Sequence, residues 1–404
     1  MQDGDFGPGT RLVRSGRSGD WADTIVNPPI WRGSTHLYAD CAALRAGARA
    51  TANADGKFFY GRRGSPTQWA LCDALTALEP GAHGTVLYPS GVSAIAGALM
   101  AVLEAGDEVL IVDNAYDPTR SMKDGLLKRM GVAARFFDPA DHDAFAALFG
   151  ERTKAVWLEA PGSLTMEMCD VPALAAIART NSAVVMLDNT WAASLGFPAL
   201  SHGVDITVTA LTKHVGGHSD LMMGAASAGK RLYFKLRRTA QQLGVVVSPD
   251  DAALALRGLR TMGIRLEKQT ASALAIAEWL EQRGEVAHVL YPPLPSDSGH
   301  DLWTRDFSSA CGLLSFVLCG GDDAARCRLV DALDLFGIGY SWGGYESLAL
   351  PFDVQPIRSE MAWPREGWDD GDRFAVRLSI GLEDREDLIA DLAQGFDRMK
   401  TSAQ

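Results

Sequence analysis

Three short apolar runs, Glu108–Asp113, Lys154–Glu159 and Ala183–Asp188, each end on a carboxylate or just before one. Helical stretches separate them. Short, fully apolar runs of this kind read as strands buried on both faces, and their alternation with helices gives a mostly parallel sheet covered on both sides. Thr85–Tyr88, Asp205–Ala210 and Leu221–Ser227 extend the pattern, with helical spacing over Pro66–Leu78 and Val92–Leu103. In such sheets ligands gather at the carboxyl ends of the strands. Asp188 and Glu159 close two strands, and Tyr116 follows a third, so the three are expected on one rim.

The chain has 404 residues, which suits two or three domains. The expected division is a Gly-rich, irregular arm over 1–60, a large domain over 61–250, and a linker helix with a smaller α/β domain over 251–404. Pro249–Gln282 reads as the linking helix. Leu313–Leu318 and Phe374–Ile380 read as strands of the smaller domain, and Glu383–Met399 as its closing amphipathic helix. The arm cannot bury much by itself and is expected to pack on another subunit or on the active site. A net charge of −12 argues against nucleic acid and anionic membranes as partners. No apolar run approaches the ~20 residues that span a bilayer. The first twenty residues lack the apolar core of a secretory signal. Six cysteines without a CxxC pair read as reduced, mostly buried thiols, and a cytoplasmic location is expected. No metal site is expected. His214 and His218 come nearest to ligand spacing and are read as loop packing.

Thr209–Asp220 carries the chemistry. Lys213 lies there among small and hydroxylated residues, after an apolar run and before a glycine pair. A partly desolvated lysine loses its charge more easily and becomes nucleophilic, as a Schiff-base lysine must. Together with Asp188 at a strand end it matches the needs of pyridoxal phosphate: an acid for the protonated ring nitrogen and a lysine for the aldehyde. Pro89-Ser90-Gly91-Val92 is a strand-to-helix turn suited to an anion. Tyr60-Gly61-Arg62-Arg63 supplies a guanidinium for bidentate phosphate contact. Tyr116 is placed to stack on a ring. Arg377 is a lone arginine in the apolar strand Ala375–Ile380, costly to bury unless paired, and is read as a clamp for an amino-acid carboxylate.

The motifs Tyr-Gly-Arg-Arg-Gly-Ser-Pro-Thr (60–67), Ser-Gly-Val-Ser-Ala-Ile (90–95), Glu-Ala-Pro-Gly-Ser-Leu-Thr (159–165), Asp-Asn-Thr-Trp-Ala (188–192), Thr-Lys followed by Gly-His-Ser-Asp, and Arg-Gly-Leu-Arg-Thr-Met (257–262) occur in this order. With them the chain resembles the cystathionine-lyase and cystathionine-synthase group of transsulfuration enzymes, from Asn27-Pro28-Pro29 to Leu382-Glu383-Asp384. The resemblance implies a fold type I pyridoxal-phosphate enzyme of the aspartate-aminotransferase type, with a seven-stranded sheet in the large domain. It implies that Lys213 holds the cofactor and shuttles protons, Asp188 pairs with the ring nitrogen and Tyr116 stacks on the ring. Ser90, Gly91, Val92 and Thr212 would bind the phosphate. Tyr60 and Arg62 would reach the phosphate of a neighbouring subunit in a homotetramer built from two tight dimers. Ser163, Arg377, Ser341, Trp342 and Tyr60 would meet the substrate.

Tyr340-Ser341-Trp342-Gly343-Gly344-Tyr345-Glu346-Ser347 resembles the bacterial cystathionine β-lyases. Two departures stand out: Ala210 where many relatives have a phosphate-binding serine, and His214 where a tyrosine commonly follows the lysine. The implied activity is C–S β-elimination on L-cystathionine, giving homocysteine, pyruvate and ammonia. The alternatives are γ-elimination, γ-replacement on an activated homoserine, or a broad cysteine-S-conjugate β-lyase.

Overall fold

The structure is a computed structural model and describes residues 6–17, 25–49 and 58–400. Seven strands are β1 Gly84–Tyr88, β2 Glu108–Val112, β3 Ala133–Phe137, β4 Thr153–Glu159, β5 Val184–Asp188, β6 Ile206–Ala210 and β7 Gly224–Ala228. Their order is β1-β7-β6-β5-β4-β2-β3, the mostly parallel sheet expected of a fold type I enzyme. β2 pairs in parallel with β3 and β4, and β4 with β5, whereas β7 runs antiparallel to both β1 and β6. Five further strands are β8 Val286–Leu290, β9 Leu313–Leu318, β10 Gly337–Ile338, β11 Leu348–Phe352 and β12 Ala375–Ser379. They form a second sheet in the order β10-β11-β12-β9-β8.

By its contacts the chain divides into two compact units. The first comprises Met1–Val102, Pro198–Ser201 and Asp205–Gly263; the second comprises Leu103–Phe197, His202–Val204 and Ile264–Gln404.

In the first unit the helix Pro66–Leu78 starts with proline in its first turn and a capping box between Ser65 and Gln68, which satisfies donors that a helix start leaves open. It buries Ala70, Leu71, Ala74 and Leu78, one stripe of the helix. Thr76, Thr85 and Ser227 link hydroxyl to hydroxyl at 2.8 and 2.7 Å, so the buried polar groups between this helix, β1 and β7 are paired. The helix Gly91–Val102 is built of small residues, and β7 reads Gly-Ala-Ala-Ser-Ala. Small side chains let the helix lie close to the sheet: a Cβ on Gly97 would fall 2.3 Å from the Tyr88 ring.

The arm is more regular than expected. It contains the short helix Pro8–Arg14 and the helix Cys41–Arg49. The first buries Leu12, and Arg260 Nη1 donates to the carbonyls of Leu12 and Ser15 at 2.6 and 2.7 Å. Proline at its first position and this tertiary anchoring form a helix where glycine content suggested none.

In the second unit β9 is buried throughout, and Leu388, Leu392 and Phe396 of the helix Arg385–Lys400 complete its core. The 33-residue helix Pro249–Glu281 carries the chain between the units, ending one residue before the expected boundary. The thiols depart from expectation. Only Cys169 and Cys311 are buried; Cys72 and Cys327 are half-buried, and Cys41 and Cys319 are exposed. Cys41 opens an exposed helix and Cys319 follows the last residue of β9, where the chain leaves the core. No described helix is long and apolar enough to cross a membrane.

Candidate active site

The second unit assembles one half of the predicted residues. β4 and β5 run parallel with Glu159 opposite Asp188, so both carboxylates emerge from one end of the strand pair. Asp188 Oδ1 accepts from the N–H of Thr190 at 3.0 Å and from its hydroxyl at 2.5 Å. These two donors favour the ionised acid and fix its orientation. Tyr116 begins the turn Asp117–Ser121, and its N–H donates to Glu159 Oε2 at 2.8 Å. The expected rim of Tyr116, Glu159 and Asp188 is therefore present. Burial raises the Tyr116 phenol above its ordinary value, and Asp188 and Glu159 push it further while Arg377 pulls it back. At neutral pH the phenol carries its proton and can donate it.

Arg377 lies at the centre of β12, with Leu350 of β11 and Ser315 of β9 as its register partners. Its Nη2 donates to the carbonyls of Tyr340 and Ser341 at 2.7 and 3.1 Å. Its Nε is buried and has no partner. Burial lowers its ordinary value, and the Tyr116 phenol, once ionised at high pH, acts in the opposite sense. An incoming carboxylate would satisfy both the orphaned Nε–H and the desolvated charge. Ser341 meets Arg377 through its backbone carbonyl. Trp342 beside it is half-buried, on a loop tied down by Gly343 N–H to Ser379 Oγ (3.3 Å) and by Gln269 Nε2 to the Gly344 carbonyl (2.7 Å).

Ser163 follows a cis Ala160–Pro161 bond, and its N–H donates to the Asn114 carbonyl at 2.9 Å, two residues before Tyr116. A Cβ on Gly162 would fall 2.2 Å from Asn114 Nδ2, so the glycine permits this docking.

The first unit holds the other half. Lys213 sits in the turn after β6, where its N–H donates to the Ala210 carbonyl at 3.1 Å and its own carbonyl accepts from Gly217 at 2.8 Å. Lys213 is half-buried and His214 is 2% exposed. The Thr212 hydroxyl bridges the backbone of Met223, accepting from its N–H at 3.0 Å and donating to its carbonyl at 3.2 Å. Ser90 Oγ accepts from the N–H of Ser93 at 3.1 Å, at the start of the helix Gly91–Val102. The first N–H groups of a helix have no acceptor within it, and Val92 is 37% exposed, so this end is open to an anion.

The turn also lies tight against the sheet. A Cβ on Gly91 would come 2.8 Å from the Ala210 Cβ, and one on Gly224 would come 2.3 Å from the Ser90 carbonyl oxygen. The departure to alanine at 210 thus faces the Ser90–Gly91 turn with a methyl group. Tyr60 and Arg62 share the exposed turn at Gly61–Arg63, with the guanidinium 5.9 Å from the Tyr60 ring and Nη1 3.3 Å from the Gln241 carbonyl. Tyr60 is 45% exposed.

Sequence reasoning singled out neither Thr190 as the residue that orients Asp188 nor the hub around Asp113. Thr190 had a signal, since it stands two residues after the acid. Among the described residues no group of three His, Cys, Asp or Glu could hold a metal.

Taken separately, each unit holds groups of the kind pyridoxal phosphate needs: an anion turn and a half-buried lysine in the first, a held carboxylate and a buried arginine in the second. Residues 9–397 match the model of the Cys/Met metabolism PLP-dependent enzymes. The chain belongs to this family. It is 45% identical over 96% of both chains to a putative cystathionine beta-lyase of Rhizobium johnstonii. It is 42% identical to the cystathionine beta-lyase MetC of Escherichia coli, over 96% of this chain and 98% of that one. The crystal structure of metB from Corynebacterium glutamicum superposes with a TM-score of 0.87 at 28% identity, covering 98% of this chain and 99% of that one. The family is defined by its cofactor, and the chain is a pyridoxal-phosphate enzyme of sulfur amino-acid metabolism.

Proposed function

We propose that the enzyme is a C–S β-lyase that cleaves L-cystathionine into homocysteine, pyruvate and ammonia. The observation that carries the reading is Arg377, a buried guanidinium with an orphaned Nε–H that lies within electrostatic reach of Tyr116, on the rim with Asp188. It fits the α-carboxylate of an amino acid. The Ser341-Trp342 loop bound to that arginine and the names of the relatives favour the β-lyase branch.

Bound pyridoxal phosphate supplies the electron sink for the pair left at the substrate Cα. In this reading Ser90, Gly91, Val92 and Thr212 hold its phosphate. Asp188, kept ionised by Thr190, holds the proton on its ring nitrogen. Lys213 Nζ takes the α-proton as general base. Lys213 then returns a proton to the departing sulfur, with the Tyr116 hydroxyl as a second donor. Arg377 fixes the carboxylate, and Ser163, Ser341, Trp342 and Tyr60 line the substrate. The released aminoacrylate hydrolyses to pyruvate and ammonia.

Tyr60 and Arg62, exposed on their turn, are assigned to the phosphate of a neighbouring subunit. The 1–60 arm joins that contact, and the enzyme is a cytoplasmic homotetramer with shared sites.

The test is incubation of the purified protein with L-cystathionine and identification of the keto acid by mass. Pyruvate with homocysteine supports the reading. 2-Oxobutyrate with cysteine moves the enzyme to the γ-lyases. Neither product overturns cystathionine cleavage and directs the search to other sulfur amino acids and to replacement reactions.

A further inference from the structure

Glu159 has no role in the scheme above, yet it stands beside the acid on which that scheme depends. It is the register partner of Asp188 on the neighbouring parallel strand, so the two side chains leave the same face of the sheet from strands about 4.8 Å apart. Two carboxyl groups this close do not both ionise without cost. Their hydrogen bonds decide which keeps the charge. Asp188 receives two donors from Thr190, at 3.0 and 2.5 Å, whereas Glu159 receives one, the Tyr116 N–H at 2.8 Å.

The other groups facing Glu159 do not restore its charge. Arg358 is a cation that acts on it, but its guanidinium is engaged elsewhere: with the Asp113 carbonyl, with Thr165 Oγ1 at 2.6 Å, and with Glu167 at 3.8 Å. The Cys169 thiol, pushed up to about 12 by burial, donates to the Glu159 backbone carbonyl at 3.7 Å and stays protonated. Burial and then Asp188 push the Glu159 carboxyl well above the usual range, and the Tyr116 N–H and Arg358 only partly offset them.

We propose that Glu159 is a positioning residue: its neutral carboxyl holds the Tyr116 backbone at the strand rim and leaves the single negative charge of the pair on Asp188. The inference rests on the proposed roles of Asp188 and Tyr116. A second negative charge there would repel both the substrate carboxylate and the electrons that the cofactor must accept. A neutral carboxyl keeps the hydrogen bond to Tyr116 without that repulsion.

The test compares the wild-type holoenzyme with Glu159→Gln and Glu159→Ala. Glutamine is neutral and can still accept from the Tyr116 N–H. The wild-type-minus-E159Q infrared spectrum at pH 7 is expected to show the carbonyl band of a protonated carboxylic acid. E159Q is expected to keep kcat/KM within about threefold of wild type, while E159A, which releases Tyr116, loses about tenfold in kcat. An ionised Glu159 in the infrared spectrum, or E159Q as slow as E159A, overturns the proposal. If E159Q does not fold, wild-type protein carrying ¹³C-carboxyl glutamate shows the same band by its isotope shift. If the wild-type protein shows no cofactor absorbance in the visible, the functional reading fails, and the infrared band still decides the protonation of Glu159.

Discussion

Gly224→Ala tests the proposed phosphate turn, Ser90–Gly91, at its tightest point. Gly224 opens β7 and pairs with Tyr88 on one side and Ala210 on the other. A methyl group there would lie 2.3 Å from the Ser90 carbonyl oxygen and 2.9 Å from the Gly91 Cα. Ordinary carbon contacts settle near 3.5 Å, so the Ser90–Gly91 backbone must retreat by about 1 Å. Neither neighbour is a flexible side chain that could swing aside. Overpacking of this kind costs about 1–3 kcal/mol. If the whole cost falls on the displaced turn, phosphate affinity drops about 5- to 150-fold. If the sheet absorbs it, the melting temperature falls instead. The assay is titration of apoenzyme with pyridoxal phosphate, followed by visible absorbance, beside thermal unfolding of the apo form. Gly229→Ala is the control, because its new methyl would meet nothing nearer than the Gly81 carbonyl oxygen at 3.8 Å. A G224A protein that matches wild type in both affinity and melting temperature refutes the reasoning.

Arg377→Lys removes the fork that suits a carboxylate. It should lower kcat/KM about 10- to 150-fold, mainly through KM, because the carboxylate is held in ground and transition states alike. A change confined to kcat would contradict the clamp. Arg62→Ala and Lys213→Ala subunits, each inactive alone, should regain activity when mixed and reassembled, because a hybrid dimer carries one site with both residues and random mixing restores about a quarter of the sites. No recovery in verified hybrids would contradict the shared site. Asp113→Asn should destabilise the protein by about 3–5 kcal/mol at neutral pH, since it breaks a buried ion pair with Arg120 at 2.7 Å. Burial raises the Asp113 carboxyl, but the N–H of Met361, the Ser359 hydroxyl, Arg120 and the N–H of Glu360 outweigh it and hold it below the usual carboxylate range. Its stabilisation is therefore complete above about pH 4 and is lost as pH falls through the depressed value. Denaturant unfolding should show a gap between wild type and D113N that narrows in acid; a gap independent of pH would refute the linkage.

The fold was legible where side-chain pattern and backbone demand agree. Pro66–Leu78 and Leu313–Leu318 appear with the boundaries their sequences imply, one set by a proline start and capping box, the other by a run of six buried residues. The elements that escaped notice lack such agreement. β3, Ala-Ala-Arg-Phe-Phe, is half-buried at the sheet edge and shows no apolar run. β8 includes His288, whose ring stacks on Trp368 at 3.8 Å, a tertiary contact invisible in local periodicity. The helix Lys230–Gln242 buries only Leu232, Leu236 and Ala240 beneath a strongly basic surface. The arm shows the same error, because its helix at Pro8–Arg14 depends on Arg260, some 250 residues away in sequence.

The site follows the same logic. Residues that supply a functional group from a strand end could be named, because strand direction alone places Glu159, Asp188 and Tyr116 on one rim. What the sequence could not rank was the electrostatic division between them. Three features separate two otherwise similar carboxyls: a hydroxyl two residues after Asp188, a backbone N–H from a different loop for Glu159, and an arginine committed to other partners. None is a property of the acids themselves. The hub at Asp113 works in the same way. It receives Ser359, Glu360 and Met361 from the segment between β11 and β12 and lies three residues before Tyr116. Arg120 and Arg358 bind its backbone carbonyl as well. Tyr116 is thus anchored at both ends of a short loop, by Asp113 before it and by Glu159 at its own N–H. Loosening either anchor should move the phenol while leaving Asp188 in place, so the two sets of variants should affect protonation of the departing sulfur before they affect cofactor binding.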